Sequence, residues 1–135
     1  MREILFRGKR IDNGEWVCGV PTKDSHDETV IVESVFECDE YLCRGANCLY
    51  ADPETVGQYT GLTDKNGTRI FEGDIVAGAV FWQASPKNGV VAFKDGSFGL
   101  IWYRGEVEQF NAFTSMCNIV YEVIGNVHDN PELLK

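Results

Sequence analysis

A chain of 135 residues, 44% of them hydrophobic and 24% charged, fits one domain with room for a small subdomain, because two independent domains would each lack core. That apolar content excludes global disorder, and no apolar run approaches the roughly 20 residues that a membrane-spanning helix needs. The formal charge of -9, from 12 basic and 21 acidic residues, disfavours a phosphate-backbone binder, which carries a dominant basic face.

The opening Met1-Arg2-Glu3-Ile4-Leu5-Phe6-Arg7 returns to charge after three apolar residues, so no export signal is expected and the chain is read as cytoplasmic. An odd count of five cysteines then points to reduced thiols rather than a disulfide framework. Charge is uneven. The first ten residues hold four bases (Arg2, Arg7, Lys9, Arg10) against Glu3, whereas Thr22 to Val56 holds nine acids and two bases.

Fourteen glycines and four prolines punctuate short apolar runs, the rhythm of strands joined by tight turns. Asp12-Asn13-Gly14 predicts a hairpin between Ile4–Arg7 and Glu15–Val20, since Asn-Gly tolerates positive φ. Thr29 to Phe36 is rich in β-branched residues and reads as a strand. Glu37 to Pro53 reads as an irregular connection with a short strand at Cys48 to Ala51, marking a boundary between residues 1–55 and 56–135. Further strands are expected at Val56–Leu62, Arg69–Phe71, Ile75–Trp82, Gly89–Lys94, Ser97–Tyr103 and Ile119–Val127. Asp64-Lys65-Asn66-Gly67 and Asp95-Gly96 supply turns. Glu106 to Asn118 is ambiguous, because Phe110, Phe113 and Cys117 recur at helical spacing without a cap. Asn130-Pro131-Glu132 predicts a short terminal helix.

The expected fold is therefore all-β: a small SH3-like or related barrel over about Val56 to Val127, preceded by a smaller β subdomain and closed by a short C-terminal helix. Phe98, Leu100 and Trp102 alternate with Ile101 and Tyr103, so this strand is apolar on both faces. One face of a small barrel should meet water. The surplus implies a covering subdomain or a subunit interface, since aromatics are favoured in both places.

Gln58-Tyr59-Thr60-Gly61-Leu62-Thr63-Asp64-Lys65-Asn66-Gly67, then Ile70-Phe71-Glu72-Gly73-Asp74-Ile75-Val76, Gly89-Val90-Val91, Phe93 to Leu100, Glu122 to Asn126 and Asn130 to Leu134 resemble the YopX protein family of bacteriophages and prophages. The likeness spans nearly the whole chain and is weakest between Pro21 and Tyr50. It implies a mostly β fold and a phage or prophage context, with no family catalytic residues to carry over.

Candidate sites weigh little against their structural alternatives. Cys38, Cys43 and Cys48 are spaced slightly too widely for a structural zinc site and lack a second pair, so partly buried thiols are the simpler reading. Asp64 and Glu72 are reminiscent of a calcium loop but lack its third ligand position and flanking helices; a turn is expected. Glu72 and Asp74 can share a strand face, which permits a carboxylate pair, yet no metal or polar partner is identifiable. His26 and His128 read as surface residues. Trp16, Trp82 and Trp102 read as core anchors rather than base-stacking platforms. The expectation is a non-enzymatic accessory protein without catalytic, cofactor or metal residues, acting through self-assembly or a host or phage protein, with neither membrane nor nucleic acid as its partner. The alternatives are a metal-dependent enzyme using Asp64, Glu72 and Asp74, and a nucleic-acid module using Arg2, Arg7, Lys9 and Arg10.

Overall fold

The computed structural model describes residues 3–33, 37–38, 43–44, 47–78, 88–113 and 120–134. The chain is all-β and divides into two compact units, Glu3–Gln58 and Tyr59–Lys135.

The first unit contains β1 (Phe6–Arg10), β2 (Trp16–Lys23), β3 (Thr29–Val32), β4 (Glu37–Cys38), β5 (Cys43–Arg44) and most of β6 (Cys48–Thr63). All its pairings are antiparallel. β1 pairs with β2, β2 with β3, β3 with β6, and β6 returns to β1, so the ladder closes on itself around Val30, Ile31 and Ala51. The Asn-Gly turn forms as its residues dictate: Gly14 adopts φ 71°, and its N–H donates to Arg10 O at 3.0 Å. Gly8 lets β1 lie on the core, where a Cβ would sit 3.1 Å from Ala51 and 3.4 Å from Ile31.

Two expectations change here. Asp52-Pro53 is not a boundary loop but lies within β6. Its proline sits where the register against β1 shifts, between the Lys9↔Asp52 and Arg7↔Gly57 pairs, and a bulge tolerates a residue without an N–H. Thr55 repairs the gap, accepting from Lys9 N at 2.9 Å and donating to Asp52 O at 2.6 Å. Cys38 and Cys43 lie opposite each other in the two-residue ladder of β4 and β5, and Cys48 begins β6, so the three do not share one irregular loop.

The second unit holds the end of β6, β7 (Arg69–Phe71), β8 (Asp74–Ala77), β9 (Gly89–Lys94), β10 (Ser97–Arg104), β11 (Val107–Ala112), β12 (Glu122–Asn126) and a 3₁₀ turn at Pro131–Leu134. Five strands form an antiparallel sheet in the order β11-β10-β9-β8-β12. Its inner face packs Val76, Val91, Leu100 and Trp102 with Ile70 and Tyr121. The Trp102 indole is satisfied: with its amide oxygen turned toward the ring, Asn111 accepts Nε1–H at 3.1 Å. Residues 107–112 form a strand despite the helical spacing of Phe110 and Phe113, because a two-residue turn at Gly105 (φ 66°) folds them back in register with β10. Trp82 and Cys117 lie outside the described residues.

Candidate interaction surface

The carboxylates singled out from sequence are held by the backbone. Asp64, only 2% exposed, accepts Asn66 N and Thr68 N on Oδ1, each at 2.9 Å, and Val123 N on Oδ2 at 2.9 Å. It thereby closes the β6–β7 turn and ties that turn to β12. Burial pushes its carboxyl pKa up, but these backbone donors outweigh that and hold it below the ordinary value. Gly67 supplies the positive φ of 80° that the turn needs. Asp74, equally buried, accepts Phe71 N at 2.8 Å across Glu72-Gly73. Both family-like blocks therefore encode turns. No group of three His, Cys, Asp or Glu side chains converges among the described residues, so Asp64, Glu72 and Asp74 are not brought together.

The same turn occurs in the first unit, unread in the sequence because it lacks a glycine. Asp24 Oδ1 accepts His26 N at 2.8 Å and Glu28 N at 3.0 Å, with Asp27 at φ 63° in the place of Gly67. Asp24 Oδ2 also accepts Tyr50 Oη–H at 2.8 Å. The signal was an aspartate four residues before the start of the returning chain.

Two of the four N-terminal bases have described side-chain partners. Arg7 lies 4.6 Å over the Trp16 ring, and Arg10 forms a two-pronged pair with Asp12 at 2.9 and 2.6 Å. Arg2 lies outside the described residues. Cys18 and Cys48 are exposed cysteines that take part in no disulfide among the described residues.

The feature that does stand out is the sheet of the second unit. Residues opposed across an antiparallel ladder point to the same face. Ile75↔Val90↔Ile101↔Phe110 therefore line the face opposite the core cluster. Ile75 is fully buried, but toward β11 this face opens: Val90, Ile101 and Phe110 are only partly covered, and Tyr103 is 54% exposed. Phe110 lies against Gly99, where a Cβ would clash with its ring, an arrangement in which an aromatic covers a glycine in the sheet. Lys94 sits 5.9 Å over that ring and pairs with Glu108 at 3.2 Å; Glu108 also accepts Tyr103 Oη–H at 3.3 Å. On the inner face Phe93, 55% exposed, meets Phe98 edge-on at 5.0 Å. Aromatic area is thus left in water on both faces of one sheet.

Among the described residues no helix is long and apolar enough to cross a membrane. A comparison with curated proteins finds no match. The crystal structure of protein EF1440 from Enterococcus faecalis is similar at TM-score 0.64 and 24% identity, with 100% of each chain covered, a likeness of fold. The family model described as YopX protein matches residues 5–135, and the chain belongs to that family.

Proposed function

We propose that this protein is a non-enzymatic accessory protein of a phage or prophage, acting in the cytoplasm by assembling with copies of itself through the sheet of its second unit. The observation that carries this reading is the sheet's apolar surplus: the aromatic Tyr103 and Phe93 and the aliphatic Val107 are each more than half exposed on one small sheet. Fully burying one large apolar side chain is worth about 1.5–3 kcal/mol, so mutual cover of several such residues supports association. Two of the three carboxylates that an enzymatic reading would use, Asp64 and Asp74, are instead engaged with backbone N–H groups, which supports a role by contact rather than by chemistry.

Charge makes the reading testable. Each copy carries -9, so assembly brings like charges together and salt should screen their repulsion. Sedimentation velocity at rising sodium chloride is expected to show association holding or tightening. Binding to phosphates would weaken over the same range. Assembly that dissolves steadily with salt would contradict an interface built on apolar cover.

A further inference from the structure

We infer that two copies join edge to edge, β11 against β11 of the second copy, antiparallel and centred on Phe110. The inference deepens the self-assembly reading and rests on it.

β11 ends the five-stranded sheet, and among the described residues no strand pairs with its other side. Which backbone groups face that side follows from one hydrogen bond. Phe113 N donates to Phe98 O at 3.0 Å, one step beyond the Gly99↔Ala112 pair. Backbone groups alternate direction along an antiparallel strand, so Val107, Gln109 and Asn111 serve β10, while Glu108, Phe110 and Ala112 turn theirs to the free edge. An unpaired edge of this kind is a template for another strand.

A second copy fits this edge by symmetry. In an antiparallel pair, opposed residues share a face, so a two-fold axis must fall on a residue and not between two. Centring it on Phe110 opposes Glu108 to Ala112 of the second copy, and Phe110 to its own equivalent. All three outward residues then form doubly bonded pairs, giving about six intermolecular hydrogen bonds. The Phe110 carbonyl also faces the Asn111 amide at 3.2 Å, and its second lone pair remains for the partner. No like charges stand opposed, and Glu108, the one acid of the strand, is already paired with Lys94. The two Phe110 residues stand opposed on the open face, each ring lying back over its own Gly99, and the exposed aromatic areas of both copies come to lie side by side. The contact is isologous and closes as a dimer unit.

Ala112→Pro tests this directly. It removes an N–H aimed at the free edge while leaving the N–H groups that serve β10. Size-exclusion chromatography with light scattering at micromolar concentration should show the wild-type assembly and, for Ala112→Pro with an unchanged far-ultraviolet circular dichroism spectrum, association weakened about tenfold or more. A folded Ala112→Pro variant with wild-type assembly overturns the edge pairing, and self-assembly then proceeds through another surface. A wild-type chain that is wholly monomeric overturns this inference and the reading beneath it together. The register has its own test, independent of how proline is tolerated. Phe110→Lys and Phe110→Glu should each dissociate, since each opposes like charges across the axis, and their equal mixture should reassemble. Failure of folded variants to reassemble in the mixture overturns the Phe110-centred register.

Discussion

Asp64→Ala is expected to destabilise the protein by about 3–5 kcal/mol, because hydrogen bonds to a charged acceptor are worth about 1.5–3 kcal/mol each and their donors would be left without it. Three N–H groups, from Asn66, Thr68 and Val123, depend on this carboxylate. The last of them lies 59 residues away in sequence, so the loss reaches β12 as well as the local turn. Chemical denaturation of the variant measures it, and a cost near that of a surface substitution would contradict the role. Acid should produce a related loss. The Asp64 carboxyl titrates below its ordinary 3.8 in the folded protein, so its contribution is fully present above that value and fades as pH falls through the folded pKa. Stability of the wild type should therefore drop on acidification below about pH 4, through this group among others, and Asp64→Asn should drop less steeply. Equal acid slopes for the two proteins would contradict the assignment.

Gly19→Ala is the second large effect. Gly19 is buried on β2, and a Cβ there would run into the Val32 carbonyl, with the Val32 carbonyl carbon at 2.7 Å and Glu33 Cα at 3.0 Å. These are backbone atoms of the neighbouring strand and its exit, so no side chain can rotate away. Relief requires β3 to shift, and overpacking of this kind costs about 1–3 kcal/mol or more. The ladder closes through β2 and β3, so the damage should spread around the first unit. Thermal unfolding by circular dichroism should show a Tm lowered by at least several degrees. An unchanged Tm would mean that β2 and β3 do not approach as closely as described.

Turns and strands were legible where chemistry is local. Asn13-Gly14, Asn66-Gly67 and Asp95-Gly96 each announce positive φ, and each forms a turn: Gly14, Gly67, Asp95 and Gly96 all lie there. Less legible was anything that depends on a distant partner. Nothing near Pro53 says that β1 will accept a bulge there, and nothing near Gly105 says that β10 will recruit residues 107–112 away from a helix. Asp24 hid because Asp27 takes the left-handed position without a glycine to mark it. The apolar character of both faces of β10 could be read directly, since it needs only alternation along one strand. The free edge of β11 could not, because strand order is a property of the whole sheet.

Contact between copies is measured most directly by native mass spectrometry of the full chain at micromolar concentration. A defined multiple of the chain mass built from dimers is the predicted spectrum. A single-chain mass throughout, unchanged by added salt, would contradict it.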